Sequence, residues 1–347
     1  MAWRFYSSLA IRYSGGLPVL LSQRWRSSMC FSARIQQDLR DLARRFGAEI
    51  AWEMFADVFK RRLETNEFKL TRGLERNFDH PQSDIEQKIK ADIDEFRKRS
   101  ATKWEQEVFT QKRRLADAER SLLTKETKKA RESARIAKNK IDTHLGWLAD
   151  LKQTEPSEKD DRIFPMTMAP VVATVQGRRV IAPMRYTCRI GGKPADYDFR
   201  YPGTYNARRD NLEGFWANLY GRHHAVMIVN EFFENVPLHL YERRELAPDE
   251  KTGNMVLRFT PSTSAPMLVA CLWDHWQKAG SPDLYSFAAV TDEPPAEIAA
   301  TGHQRCIISL REANLGEWLA PEAVAKPRLD EILTDKECPY YEHRIAA

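Results

Sequence analysis

The chain has 347 residues, of which 42% are apolar and 30% are charged, and its formal net charge is +5. That apolar content is enough for one ordinary core, and no run approaches the roughly eighteen continuous apolar residues of a membrane span. Its five cysteines have neither a disulfide framework nor the close spacing of a structural zinc site, and its eight histidines have no metal-ligand spacing. The composition therefore argues against a membrane protein, a disulfide scaffold and a metalloprotein, and it favours a protein of a reducing cytoplasm.

The N-terminal segment, residues 1–28, has no acidic residue but contains several serines and four arginines, at positions 4, 12, 24 and 26. This composition is typical of a mitochondrial transit peptide, and only a genuine transit peptide would make the protein mitochondrial. We favour the alternative, a mis-annotated start with translation from Met29, because the residues after Met29 are typical of the start of a polypeptide. Removal of Met29 would then make Cys30 the first residue, with an amine and a thiol on neighbouring carbons.

Two helical regions follow. Apolar residues recur every three or four positions from Ile35 to Val58, which predicts one or two amphipathic helices broken near Gly47. Ser83-Asp84-Ile85-Glu86 forms a capping box, which predicts a helix start near Ser83. From there to Leu145 there is no Gly or Pro and the apolar residues are sparse, so we expect a long solvated helix folded back as an antiparallel, coiled-coil hairpin.

The predicted hairpin is basic, with fifteen Lys or Arg against six Asp or Glu between residues 97 and 140. A charged spacer or self-association arm would leave this face solvated, whereas a DNA-binding arm would lay it along phosphates. The charge run alone does not choose between these roles.

After Arg162 the sequence changes to short runs of β-branched and aromatic residues bounded by Gly, Pro, Asp or Ser. Strands are predicted at residues 179–186, 225–233, 255–259, 267–273 and 285–291, and helices at 211–220 and 309–319. There is no βαβ rhythm, so we expect an α+β fold with a mainly antiparallel, barrel-like sheet and flanking helices. The predicted domains are a leader or mis-annotated start (1–28), a catalytic core (29–60 and 158–325), a charged helical insertion (61–157) and a C-terminal tail (326–347).

Four short pieces of the predicted core carry polar groups suited to chemistry. They are Met29-Cys30, Tyr205-Asn206-Ala207-Arg208, Phe232-Phe233-Glu234 and His303-Gln304-Arg305. Each alone has an ordinary structural interpretation, such as a turn residue or a solvated carboxylate. Their order, together with an L-W-x-x-W motif at residues 272–276 and a W-L-x-P motif at 318–321, resembles the SOS-response-associated peptidase (SRAP) family. The resemblance covers residues 29–47 and 162–321.

The resemblance implies an enzyme of the DNA-damage response that captures abasic sites in single-stranded DNA through an N-terminal cysteine, as a thiazolidine crosslink. A lyase-like or self-processing peptidase activity is also implied, with no cofactor, no metal and no membrane, in a bacterial cytoplasm near the nucleoid. Cys30 would be the nucleophile and Asn206 would orient it, while Glu234 and His303 would handle protons. DNA phosphates would be bound by Arg208, with Arg185, Arg189 and Arg305 as further candidates.

Departures from the family pattern leave alternatives open. Phe31-Ser32 stands where the family usually has Gly-Arg, so one expected phosphate contact is missing. One alternative is a thiol peptidase or amidase that uses Cys30 and His303 without DNA. Another is a DNA-binding scaffold that acts through the basic insertion. Trp273 and Trp276 are expected to fill the core rather than stack on bases.

Overall fold

The computed structural model describes residues 32–263 and 265–346, which form a mixed α+β fold. The strands are β1 (Ser32–Ile35), β2 (Glu49–Ile50), β3 (Arg162–Ile163), β4 (Met168–Val175), β5 (Arg178–Tyr186), β6 (Asn206–Arg208), β7 (His224–Pro237), β8 (Asn254–Pro261), β9 (Met267–Lys278), β10 (Ser281–Asp292), β11 (Cys306–Ile307), β12 (Ser309–Leu310), β13 (Lys336–Glu337) and β14 (Tyr341–Ile345). The helices are α1 (Leu39–Phe46), α2 (Trp52–Thr65), α3 (Arg72–Arg76), α4 (Asp84–Thr124), α5 (Lys128–Lys152), α6 (Tyr197–Arg200), α7 (Leu238–Tyr241), α8 (Ala296–Ala299), α9 (Leu315–Trp318) and α10 (Lys326–Thr334). No helix in these ranges is long and apolar enough to cross a membrane.

Five strands close into a barrel in the order β4-β5-β10-β9-β7, with β7 returning to β4. Every pair in this ring is antiparallel except β5 with β10. Successive side chains of a strand point to opposite faces, so Ala225, Met227 and Val229 of β7 belong to one core while Val226 and Ile228 belong to another. The predicted barrel-like, mainly antiparallel sheet is confirmed, and all five predicted strands lie within β5, β7, β8, β9 and β10.

The second half of β7 extends beyond the ring and pairs with β1 on one side and β8 on the other. This extension carries Phe232, Phe233 and Glu234. Ser32, the first residue of β1, lies opposite Phe233. Residues predicted as a tail also join the sheet here, because β14 pairs along β8.

Helices α1 and α2 cover the outer face of the barrel, as their apolar spacing predicts. Leu39, Leu42 and Phe55 are fully buried against this face. Helix α1 ends at Gly47, which has a φ of 55° and donates its backbone N–H to the carbonyl of Ala43. Glycine adopts this left-handed conformation without strain, which explains why the amphipathic pattern is broken at this residue.

The long helices α4 and α5 pack against each other as the predicted hairpin. Helix α4 starts where the capping box predicts, since the side chain of Ser83 accepts a hydrogen bond from the backbone of Glu86. Its 41 residues make it about 60 Å long. The base of the hairpin is held by the buried carboxylate of Glu75, which pairs with Arg62 of α2 and Arg97 of α4. The boundaries of the insertion and the coiled-coil assignment stay predictions.

Of the two helices predicted in the C-terminal half, the one at residues 211–220 is wrong and the one at 309–319 is correct only in its second part. Residues 211–220 form successive turns, in which Asn211 accepts a hydrogen bond from the backbone of Phe215 and the carbonyl of Gly214 accepts one from Ala217. Residues 309–319 begin as strand β12, which pairs with β9 and β13, and continue as a 3₁₀ turn at Glu312–Asn314 followed by α9. Apolar residues at helical spacing are buried within residues 211–220, because successive turns also bring every third or fourth residue to one face.

We expect His224 to make the folded state sensitive to acid. Its buried ring lies between the backbone N–H of Gly221, 2.9 Å from Nε2, and the carbonyl of Trp318, 3.1 Å from Nδ1. Burial lowers the pKa of His224 to about 3, below the 6.5 of the unfolded chain. As the pH falls from 6.5 towards 3, only the unfolded state takes up this proton, so the free energy of unfolding falls by about 1.4 kcal/mol per pH unit from this group.

Urea denaturation at several pH values would measure this effect. His224→Gln should remove that part of the pH slope, while His343→Gln, at an exposed position, should keep it. Equal slopes in all three proteins would contradict the assignment to His224.

Candidate functional site

The predicted nucleophile, Cys30, lies outside the described residues, so the site is built from its predicted partners. Glu234 lies on the extension of β7, directly after the residue that faces Ser32. His303 lies between α8 and β11 and is held near β7 because β11 pairs with the end of β10. Both side chains are fully buried, and Nε2 of His303 is 2.9 Å from Oε2 of Glu234. The structure thus brings together two predicted residues that are almost seventy positions apart.

The shorter of two backbone contacts of His303 favours a proton on Nδ1. Nδ1 lies 2.7 Å from the carbonyl oxygen of Arg305, and a carbonyl oxygen only accepts hydrogen bonds, so Nδ1 carries a proton. The backbone N–H of Arg305 is a more distant 3.3 Å from the same nitrogen. With that proton on Nδ1, a further proton at the 2.9 Å contact between Nε2 and Oε2 of Glu234 would be held either as carboxylic acid with imidazole or as carboxylate with imidazolium. Each form provides a buried proton that can be transferred.

Gly302 sets the backbone path into His303. Its φ is 89°, and a Cβ at this position would come within 2.7 Å of Cβ of Leu240. We expect Gly302→Ala to lower the free energy of unfolding by about 1–3 kcal/mol through strain and crowding. Gly280→Ala is the matched control, because Gly280 also has a positive φ, 75°, but open space around it. Urea denaturation should rank Gly302→Ala as the less stable variant, and the reverse order would contradict this reading.

Asn206 lies on β6, which pairs in parallel with β10. It is buried, and its Oδ1 accepts a hydrogen bond from the hydroxyl of Thr291 on β10. Its Nδ2 has no hydrogen-bond partner within residues 32–263 and 265–346. A buried amide donor without a partner is costly, so this group is suited to bind an oxygen supplied by a ligand.

Arg208 and Arg305 come together around one carboxylate. The Arg208 guanidinium pairs with Asp210, and Nη2 of Arg305 lies 3.6 Å from the same Asp210. These two arginines lower the pKa of the Asp210 carboxyl, chiefly through the hydrogen bond from Arg208. Two cations on one acid leave a net positive charge at partly exposed side chains, which suits a phosphate.

Arg185 and Arg189 have a different environment from the other predicted arginines. Both pair with Asp198, whose side chain is fully buried, and Arg189 also lies over the ring of Trp276. Burial lowers the pKa of Arg185, while Asp198 raises it. DNA contacts by these two residues stay predictions, because both side chains are largely buried.

A second cysteine lies near the site. The thiol of Cys306 is buried beside the site, and burial together with the charge of Glu234 raises its pKa, so it stays protonated.

Trp273 and Trp276 are buried, as the sequence predicts. In the part of the chain that the structure describes, no group of three or more His, Cys, Asp or Glu side chains could hold a metal ion.

Sequence reasoning missed Arg162. Its Nε donates a hydrogen bond to the hydroxyl of Ser32 at 3.0 Å, and its guanidinium lies 3.6 Å from the ring centroid of Phe233. The contact depends on β1 lying between β3 and β7, a pairing for which the four-residue strand gives no sequence signal. Arg162 therefore brings a cation to the position where the family pattern expects an arginine and this chain has Ser32.

The profile of the family described as SOS response associated peptidase (SRAP) matches residues 120–345. This range is more than half of the chain, so the chain belongs to the SRAP family. It includes Asn206, Glu234 and His303 but starts after Cys30. Membership indicates a function associated with DNA damage and is consistent with an enzyme-like role. No curated protein matches the chain.

Similar solved structures come from two bacteria. A protein from Bacteroides thetaiotaomicron is 12% identical, with 54% of this chain and 78% of that chain covered and a TM-score of 0.43. A protein from Bordetella bronchiseptica is 16% identical, with coverages of 56% and 90% and a TM-score of 0.40. A phage-related protein from the same organism is 17% identical, with coverages of 56% and 85% and a TM-score of 0.42.

Proposed function

We propose that the protein captures abasic sites in single-stranded DNA as a covalent adduct on Cys30, after the residues before Cys30 have been removed. The observation that carries the proposal is the 2.9 Å contact between the buried side chains of Glu234 and His303, one position beyond the pairing of Phe233 with Ser32. Cys30 is two residues before Ser32, and two residues of extended chain reach about 7 Å. That reach would allow Cys30 to act at the end of β7.

Adduct formation needs only the amine and thiol of Cys30 and the proton transfer proposed for Glu234 and His303. An abasic deoxyribose is mostly a closed hemiacetal, so a group must give a proton to the ring oxygen and accept one from the anomeric hydroxyl to release the aldehyde. The amine of Cys30 attacks the aldehyde carbon, and loss of one water gives an imine. The thiol then adds to the imine carbon, its proton passes to nitrogen, and a five-membered thiazolidine closes. The net change is one water lost, and ring closure is fast because it is intramolecular.

The surrounding polar groups support DNA as the substrate. The Nδ2 group of Asn206, which has no hydrogen-bond partner among the described residues, suits an oxygen of the opened sugar. Arg208 and Arg305 supply more positive charge than Asp210 neutralises, as a phosphate requires. A lesion in single-stranded DNA is already unstacked, which removes the cost of extruding it from a duplex.

The test compares protein that begins at Cys30 with protein that retains residues 1–29. Each is incubated with an oligonucleotide that carries one abasic site, and products are separated under denaturing conditions and weighed by mass spectrometry. We expect a heat-stable adduct only with an N-terminal Cys30, at the combined mass minus one water. Cys30→Ala should abolish it, whereas Cys338→Ala, which removes the exposed cysteine far along the chain, should not.

Acetylation of the Cys30 amine separates this proposal from thiol hydrolysis. It prevents imine and thiazolidine formation but leaves a thiolate able to attack a peptide carbonyl. An adduct that survives acetylation, or no adduct from protein that begins at Cys30, would refute the proposal.

A further inference from the structure

A cavity of about 380 Å³ lies where the base of the hairpin meets the barrel. None of the residues that the sequence analysis selected lines it. Its walls include Trp104 of α4, Trp147 of α5, and Phe164, which follows β3. Arg162 and Lys69 also line it. The volume is within the usual range for small-molecule and cofactor sites, about 300–1,000 Å³.

The aromatic side chains leave ring surface open to solvent. Trp104 and Trp147 are in contact across the two helices, with centroids 5.2 Å apart, yet Trp147 is 43% exposed. Phe164 is 38% exposed, and the guanidinium of Arg162 lies 5.0 Å from its ring centroid. Single exposed aromatic residues are ordinary, but three around one cavity form a surface on which a flat ring can stack.

The charge of the cavity favours an anion. Its two carboxylates already have partners, since Asp150 pairs with Lys159 and Asp160 pairs with Arg76. Arg162 and Lys69 have no carboxylate partner in the described ranges. Burial, and next the charge of Arg258, lower the pKa of Arg162. An anion beside this guanidinium would stabilise its charge and so offset both causes. A flat ring and a phosphate together describe a nucleotide.

Arg162 connects this cavity to the proposed reaction site. The same side chain that lines the cavity donates to Ser32 and covers Phe233, the residue before Glu234. A strand that places its abasic sugar at Glu234 can therefore continue past Arg162 into the cavity.

We propose that this cavity binds a nucleotide next to the lesion in the same DNA strand, with its base on Trp147 and Phe164 and its phosphate at Arg162. The inference rests on the proposed function for the identity of the strand. It also gives the hairpin a role in substrate binding that the basic charge run alone does not define.

The test measures noncovalent binding by fluorescence anisotropy, using a labelled ten-nucleotide strand that carries a central tetrahydrofuran abasic analogue. This analogue has no aldehyde, so binding is separated from adduct formation. We expect Trp147→Ala and Phe164→Ala each to weaken binding about tenfold, because the stacking of one base on an aromatic side chain contributes about this factor to the affinity. Phe109→Ala is the control, since Phe109 is 62% exposed on the same hairpin but does not line the cavity.

Salt dependence distinguishes the base contact from the phosphate contact. Arg162→Gln should reduce the slope of log affinity against log salt by about 0.7, the value for one phosphate contact on a single strand. Trp147→Ala should leave the slope unchanged. A deoxynucleoside monophosphate added in excess should compete with the strand only weakly if the cavity binds a nucleotide within a chain, and full competition would overturn that reading in favour of a free nucleotide.

The outcomes separate this inference from the proposed function. If Trp147→Ala and Phe164→Ala bind as tightly as Phe109→Ala while adducts still form, the cavity assignment is wrong and the proposed function stands. If protein that begins at Cys30 forms no adduct, yet both cavity variants weaken binding, the proposed function fails and the cavity remains a nucleotide site. If neither effect is seen, both are refuted.

Discussion

Replacing Glu234 by glutamine is expected to slow adduct formation by roughly a hundredfold or more, because proton transfer by a positioned side chain contributes about 10²–10⁴. Glutamine keeps the size of the side chain but cannot share a proton with Nε2 of His303. Affinity for the tetrahydrofuran analogue should change little, since the carboxyl group is buried and phosphates are bound elsewhere. His303→Asn should have a comparable effect.

Single-turnover adduct formation followed on denaturing gels would measure this rate. Glu293→Gln, at an exposed position after β10, is the matched control and should react at the wild-type rate. The double variant Glu234→Gln/His303→Asn should be no slower than the slower single variant, because the two residues act as one unit. Equal losses of adduct formation and of analogue binding would instead assign Glu234 and His303 a structural role.

Asp198→Asn is expected to lower the free energy of unfolding by about 3–5 kcal/mol, the usual cost of removing one partner of a buried ion pair. The fully buried carboxylate balances both Arg185 and Arg189, and an amide would leave these two cations without a counter-charge. Arg185 has little access to water that could compensate, since it is itself 5% exposed.

Asp196→Asn provides the control for this variant. Asp196, the residue before α6, pairs with Arg200 of that helix, but the two side chains are 49% and 67% exposed, so loss of this pair should cost less than about 1 kcal/mol. Urea denaturation of both variants gives the comparison. Similar stabilities for Asp198→Asn and Asp196→Asn would mean that Arg185 and Arg189 do not depend on Asp198, and would revive them as phosphate ligands.

The barrel was predictable from the sequence because its strands are buried runs with distinct borders. The segment from 225 to 233 has both faces buried, so it contains almost no polar residue and cannot be a surface element. Gly47 and Ser83 were equally predictable, since the conformations of a left-handed C-cap and an N-cap select few residue types. Each of these features depends only on residues that are close together in the sequence.

Features that depend on distant pairing were not predictable in this way. Strand β1 has four residues and no local signal, so neither its place between β3 and β7 nor the contact of Arg162 with Ser32 could be derived. The proximity of Glu234 and His303 was expected only through the family resemblance, because it depends on β11 pairing with β10. The helix predicted at residues 211–220 was wrong because turns and helices bury apolar residues at similar spacing.

The position of β1 has a consequence for biosynthesis. Its partner on β7 lies about two hundred residues later in the chain, so the first strand leaves the ribosome long before it can be incorporated. At 5–20 residues per second, translation takes roughly 10–40 s to cover that interval. Among the described strand pairs this one has the longest separation in sequence, so a nascent polypeptide stalled before β7 would leave one edge of β1 without its partner.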